Sequence, residues 1–296
     1  MNKDIFQGWD TVPGADLSQE QLDRDFRLVL SKARSLERPR PLFFGTRGAQ
    51  YMFAAAVTLL LIVSAALAFS ISASRKPAVT VARNIEYTAP KGQTRQIVLP
   101  DDSKVTLNSG SVLICPSEFG ETRSVYLMGE AVFDVTASDA QPFMVSTSDI
   151  RLRVHGTQFN VRAYFDDPDV RTTLCRGAVE VWPADRDDRR IELEPGQTLT
   201  YNKTGGSMIV TQSNTGEATS WVSGELYFRS ESIQGVIRIL ERHFDINVYL
   251  TTEKYNDAVI TASFIHGESL EDLLKAIAAV IPGMKYTIDG NKVYLK

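Results

Sequence analysis

Residues 152–164, LRVHGTQFNVRAY, and residues 170–182, VRTTLCRGAVEVW, decide the fold. Apolar and polar side chains alternate along them, the period of a strand with one face buried. The same period runs outward from about Val79 to Tyr201. Residues 96–108, QIVLPDDSKVTLN, read as strand, turn, strand, with Pro100-Asp-Asp-Ser103 as the turn. Residues 125–135, VYLMGEAVFDV, alternate around Gly129, Phe143–Thr147 is a further strand, and Leu193–Tyr201 closes through a Pro-Gly turn. Many short strands with regular turn signals indicate a sandwich, jelly roll or barrel. The spacing of Leu127, Gly129, Ala131 and Val135 is loosely echoed by Leu174, Gly177, Val179 and Val181.

From Trp221 the period changes. Glu225–Phe228 reads as a strand, and Ile233, Val236, Ile237, Leu240 and Phe244 form a helical stripe before a strand over Ile246–Leu250. The scheme then repeats. Val259–Phe264 is a strand, Ser269–Asp272 resembles a capping box, and Leu270, Leu273, Leu274, Ile277 and Ile281 form a second stripe. Asp289-Gly-Asn291 joins two final strands as a hairpin. The order βαβ-βαββ predicts a small α+β domain.

Upstream of the strands lies an uncharged run of 27 residues, Gly48 to Ser74. Its apolar part, Tyr51–Ser72, exceeds the roughly 20 residues that a bilayer span needs. A core helix of this length would carry a polar stripe. A cleaved signal peptide has a shorter apolar region and lies nearer the N-terminus. One membrane span is therefore expected. Lys32, Arg34, Arg38, Arg40 and Arg47, against Glu37, precede it, which places the N-terminus inside. In residues 1–50, Ser18-Gln-Glu-Gln21 is a capping box, followed at helical spacing by Leu22, Phe26, Val29, Leu30, Ala33 and Leu36; Pro39 stops the helix. One amphipathic helix is marginal alone, so its stripe asks for a cover: a partner protein, a second copy or the membrane surface.

The chain is thus expected to be mainly β: a single transmembrane helix, then a jelly-roll-like all-β domain, then the α+β domain. The boundaries are 1–50, 51–72, 79–215 and 220–296. A composition of 43% hydrophobic and 23% charged residues excludes a disordered or collagen-like chain, and a net charge of −4 gives no basis for direct nucleic-acid binding. The three histidines, His155, His243 and His266, have no second ligand at metal spacing. No nucleophile elbow, phosphate loop or dinucleotide fingerprint is present, so no catalytic residue, metal site or cofactor is assigned. The acidic pairs Asp101-Asp102 and Asp166-Asp167 are expected in solvated turns. Cys115 and Cys175, in strands among apolar neighbours, are compatible with buried thiols or with a disulfide.

Residues 97–119 (IVLPDDSKVTLNSGSVLICPSEF), 125–135, 141–147 (QPFMVST), 154–164 (VHGTQFNVRAY) and 193–201 (LEPGQTLTY) resemble the FecR family, single-span regulators of extracytoplasmic-function sigma factors. Residues 220–250 resemble the C-terminal domain that accompanies FecR, which is similar to the short N-terminal module of secretins and TonB-dependent transducers. The most specific parts are Gly156–Val161 and Gly129–Ala131. The family turn is usually Leu-Pro-Asp-Gly-Ser. Here Asp102 replaces the Gly, and because Asp tolerates positive φ less well, the turn is expected to differ in type. The resemblance implies an inner-membrane anti-sigma factor with a cytoplasmic N-terminus and a periplasmic C-terminal region. Leu22, Phe26, Val29, Leu30 and Ala33 would then hold the sigma factor. Leu226, Tyr227, Phe228, Ile233 and Leu240 would meet the periplasmic signalling module of a TonB-dependent transducer, by strand addition at a sheet edge. Regulated cleavage by an intramembrane protease would release the signal. The alternative is a periplasmic envelope protein, anchored in the inner membrane, that binds glycan or another ligand. A metal-dependent jelly-roll enzyme is a third class, and the absence of an H-x-H pair counts against it.

Overall fold

The computed structural model describes residues 48–73 and 83–296, and the chain divides into two compact units between Val79 and Thr80. The amphipathic segment with Leu22, Phe26, Val29, Leu30 and Ala33 lies outside the described residues. Among the described residues of the first unit a helix, α1, spans Gly48–Ala73 over 26 residues without a charge. Its Ala- and Leu-rich composition favours the helix. Thr58 Oγ1 donates to the Ala54 carbonyl at 2.9 Å and Ser64 Oγ to the Leu61 carbonyl at 3.0 Å, so both hydroxyls are satisfied within the helix. Its described side chains are apolar nearly all round, with Leu59, Leu60, Leu61 and Ile62 all more than 60% exposed. Among the described residues no helix is long and apolar enough to cross a membrane.

The second unit begins with thirteen strands. In chain order they are β1 (Asn84–Ala89), β2 (Arg95–Val98), β3 (Lys104–Leu107), β4 (Ser111–Pro116), β5 (Arg123–Asp134), β6 (Phe143–Ser146), β7 (Ile150–Val154), β8 (Gln158–Ala163), β9 (Asp169–Arg176), β10 (Val179–Pro183), β11 (Ile191–Leu193), β12 (Gln197–Asn202) and β13 (Met208–Gln212). One layer pairs in the order β1-β4-β5-β6-β7-β10-β11. The other runs β2-β3-β5-β8-β9-β12-β13. The alternating apolar positions of both layers meet in one core. There Phe133 of the second layer stacks on Phe159 at 5.0 Å and meets Phe143 of the first edge-on at 6.3 Å.

Strand β5 belongs to both layers, and it changes layer at Gly129. Residues 123–128 pair with β6 and β4, and residues 129–134 with β8 and β3. Gly129 has φ +109°, and a Cβ there would lie 2.7 Å from Ser111 Cα, so the bend needs a glycine on both counts. Gly177, at φ +94°, lies where the chain passes from β9 in the second layer to β10 in the first. The loose echo in the sequence therefore marks two crossings between layers. A jelly roll has eight antiparallel strands. Here β5 and β6 run parallel, and the thirteen strands form one sheet that almost closes on itself through β5, so the expected jelly-roll-like layout is replaced by this doubly used strand.

The turn after β2 departs from expectation. Asp102 has φ +63°, keeping the left-handed conformation that a glycine would take. Asp101 fixes the turn by accepting from the Ser103 amide at 3.2 Å and its hydroxyl at 2.7 Å, and Arg123 Nη1 pairs with Asp101 at 2.8 Å. Asp101 is therefore part of a nearly buried ion pair, not a solvated turn. Asp102→Gly is expected to stabilise the unit by about 0.5–1 kcal/mol, seen as a raised urea midpoint at unchanged slope.

The C-terminal domain follows a short helix, α2 (Thr215–Thr219), and a 3₁₀ turn over Ser220–Ser223. Its elements are β14 (Leu226–Ser232), α3 (Ile233–Phe244), β15 (Asn247–Leu250), β16 (Val259–Phe264), α4 (Leu270–Val280), β17 (Tyr286–Asp289) and β18 (Lys292–Leu295). This is the expected order, with a turn of 3₁₀ helix added at Glu253–Tyr255. The strands form two small sheets, β14-β16 and β15-β18-β17, closed over a core from both helical stripes. Ser232 caps α3 by accepting from the Gly235 amide, and Ser269 with Asp272 forms the capping box of α4.

Candidate functional site

The site lies where the C-terminal domain meets the β domain. Arg238 and Arg242 are four apart on α3 and share a face, and both reach the turn Tyr164–Pro168 between β8 and β9. Asp167 is 5% exposed and takes three arginines. Arg162 Nε donates at 2.7 Å, Arg238 Nε at 3.0 Å and Arg242 Nη2 at 3.1 Å. Arg242 also bonds Asp166 at 3.1 Å through Nη1, lies 3.8 Å from the centre of the Tyr164 ring, and accepts from the Gly92 amide at 2.8 Å through its carbonyl. Burial alone would raise the Asp167 carboxyl, but the charges and hydrogen bonds of Arg162 and Arg242 outweigh it and hold Asp167 down at about 2. The expected solvated pair Asp166-Asp167 is corrected by this contact: Asp167 is buried because α3 packs its arginines onto the turn.

Beside this junction a cleft of about 630 Å³ opens over the outer face of the second layer. On its floor, Asn160 Nδ2 and Asn108 Nδ2 donate to the Glu130 carboxyl at 3.0 and 2.9 Å, and the hydroxyls of Thr173 and Thr198 lie 2.7 Å apart. Its far wall is β14 with Trp221 of the 3₁₀ turn and Glu217 of α2. Arg171 pairs with Glu231 at 3.3 Å, and Arg229 pairs with Glu217 through both a terminal nitrogen and Nε. Cross-strand register sets the floor. Glu130, Arg162 and Arg171 are successive partners across β5, β8 and β9, while Asn160, Thr173 and Thr198 are partners across β8, β9 and β12. Their alternation predicts strands. Their polarity on a covered face does not announce itself in the sequence.

Of the residues assigned to a transducer contact, Leu226, Phe228, Ile233 and Leu240 are buried in the C-terminal core, and Tyr227 is half-buried along the cleft. Of the five assigned side chains only that of Tyr227 reaches the surface, beside the exposed Arg229 and Ser230 of the same strand. Among the described residues no cluster of His, Cys, Asp and Glu has metal-site geometry. His155 and His266 are exposed, and His243 is half-buried beside the cleft, edge-on to Phe244 at 4.7 Å, its pKa lowered by burial. Cys115 and Cys175 are unpaired; burial, with Asp101 nearby, pushes the Cys115 thiol up to about 11, and burial also raises Cys175. The alternative left open by the sequence resolves to free thiols of low reactivity.

Comparison with known proteins follows the two domains. Residues 85–180 match the family described as FecR protein, and residues 225–295 match that described as FecR, C-terminal. Two crystal structures of a candidate anti-sigma factor from Parabacteroides distasonis ATCC 8503, at 1.65 and 2.50 Å, are similar to this chain at 31% identity and a TM-score of 0.68, covering 72% of this chain and 98% of theirs. No curated protein matches. With both segments matched in order, and with a structure of the same two-part unit at this identity, the chain belongs to the FecR family.

Proposed function

We propose that this protein is a single-pass regulator of an extracytoplasmic-function sigma factor, an anti-sigma factor anchored in the bacterial inner membrane. One observation carries the reading: both FecR segments form one compact unit that follows an uncharged 26-residue helix. The uncharged run of the sequence, Gly48 to Ser74, exceeds the roughly 20 apolar residues that a bilayer span needs. An exposed helix that is apolar all round asks for an apolar surrounding, and its internally bonded hydroxyls are compatible with one. The name given to the Parabacteroides relative supports the sigma partner.

In this reading the N-terminal stripe of Leu22, Phe26, Val29, Leu30 and Ala33 holds the sigma factor in the cytoplasm. The periplasmic unit receives the signal from a TonB-dependent transducer, whose module adds a strand to an edge of the C-terminal domain near Tyr227. A single helix transmits a small conformational change poorly. Cleavage by an intramembrane protease would convert the periplasmic event into release.

The test is co-purification of the full chain, in detergent, with an extracytoplasmic-function sigma factor of its host. The double substitution Phe26→Asp with Leu30→Asp is expected to abolish the complex, because each charge placed in an apolar contact costs several kcal/mol. Retention of the sigma factor by that variant would refute the stripe.

A further inference from the structure

We propose that the outer face of the first layer docks on the same face of a second copy of this chain, about a two-fold axis that runs along β5. This goes beyond the sigma-factor reading and does not depend on it. A sheet with one face in water usually alternates apolar inward with polar outward. Here the outward positions of β4, β5 and β6 carry apolar side chains. Val112 and Ile114 of β4 stand across from Met128 and Tyr126 of β5, and Met144 follows on β6, across from Ser124. Met128 is 44% exposed, the other four apolar residues are half-buried, and none of the five belongs to the core between the layers. Strands β5 and β6 also run parallel, a pairing found mostly where both faces of a sheet are covered. Apolar side chains grouped on an outer face mark an interaction surface.

The charges on either side say what covers it. One cross-strand row runs Glu86, Ile114, Tyr126, Ser146, Arg151 over β1, β4, β5, β6 and β7. Glu86 and Arg151 thus stand two strands to either side of Tyr126. A two-fold axis along β5, in the plane between two stacked faces, exchanges the two sides and keeps each row level. It sets Met128 against its own copy and brings Glu86 of each chain over Arg151 of the other. An axis across the strands would set Glu86 on Glu86 and Arg151 on Arg151, so the charges select the first orientation. Both groups are open to a new partner. Among the described residues the exposed Glu86 carboxylate accepts only from the Thr88 hydroxyl, at 3.3 Å. Arg151 reaches Asp187 at no less than 3.8 Å, with both side chains in solvent, a pair worth little. Five strands about 4.8 Å apart, over six residues of about 3.3 Å each, make a face of roughly 500 Å² per copy. That is below the roughly 800 Å² per partner of a standard interface, so the dimer is weak and reversible.

The test is cross-linking of the full chain by a short bismaleimide, in detergent at about 100 μM protein to capture a weak dimer, and again in membranes of its host. The natural chain, whose thiols Cys115 and Cys175 are buried and half-buried, sets the background. Ser124 is exposed on β5 and would face its own copy, so Ser124→Cys alone is expected to give a dimer band. Glu86→Cys and Arg151→Cys are each expected to stay monomeric alone and to cross-link when mixed. Met128→Lys, which sets like charges against each other on the axis, is expected to cut the yield of Ser124→Cys at least tenfold. All four substitutions lie at exposed positions, and an unchanged urea midpoint checks that each variant folds. Four results overturn the proposal: a Ser124→Cys yield no higher than that of the natural chain, cross-linking of Glu86→Cys to itself, a yield that Met128→Lys leaves unchanged, or capture of a different polypeptide in membranes in place of a second copy.

Discussion

Asp167→Ala lowers the unfolding free energy of the unit Thr80–Lys296 by about 3–5 kcal/mol, the expected loss when one partner of a buried ion pair is removed. The magnitude follows from what is left behind. Arg162, Arg238 and Arg242 all point at this carboxylate, and Arg242 is itself only 8% exposed, so its charge stays buried beside Asp166 alone. Because two of the arginines belong to α3 and the third to β8, the loss also loosens the C-terminal domain from the β domain. Hydrogen exchange is expected to rise first in α3 and in the turn Tyr164–Pro168. A variant that unfolds with unchanged midpoint would show that the junction contributes no stability.

The same carboxylate makes stability depend on pH. Asp167 has its folded pKa depressed to about 2 from an ordinary 3.8. A depressed carboxylate contributes fully above its unfolded value, and the contribution is lost as pH falls from about 4 through about 2. Its size is about 2 kcal/mol by proton linkage. Asp167→Asn removes the titration while keeping the shape. Between pH 4 and 2 the stability of the natural protein is therefore expected to fall more steeply than that of Asp167→Asn. Parallel acid curves would refute the assignment of this titration to Asp167.

Gly129→Val has the other large effect, a destabilisation of about 3–5 kcal/mol. Two terms add: a β-branched residue held at φ +109°, and a side chain driven against Ser111 Cα, where even a Cβ lies at 2.7 Å. Ser111 cannot move aside freely, because its hydroxyl accepts from the Glu130 amide at 2.8 Å. Gly206→Ala separates the terms. Gly206 also has positive φ, +65°, but nothing lies within 4 Å of a Cβ there, so only the backbone term of about 1 kcal/mol is expected. Equal midpoints for the two variants in urea would show that the close approach at Ser111 contributes nothing.

Most of the elements were legible in the chain, because their signals are local. Alternation in residues 152–164 and 170–182 marks β7 to β10, Ser269 with Asp272 marks the start of α4, and Asp289-Gly-Asn291 marks the last hairpin. The site was not. Asp166 and Asp167 look like an ordinary solvated turn, and the arginines that bury Asp167 lie 71 and 75 positions further along. Arg123 gives no local sign either, yet it is 2% exposed and joins Asp101 to the carbonyls of Thr136 and Gln141. Leu226, Phe228, Ile233 and Leu240, all buried, pose the converse problem. Their pattern marks them as apolar, but whether an apolar residue faces a core or a partner depends on what folds over it.

The sequence by itself determined the periods, the caps, the uncharged run and the FecR resemblance, since each depends on neighbours within a few residues. Only the tertiary structure decided which strand serves both layers, which carboxylate is buried and where a cleft opens. Those follow from charges and surfaces brought together across long separations, and the free energy of an ion pair or a covered polar face depends on distance and burial, which spacing along the chain does not encode.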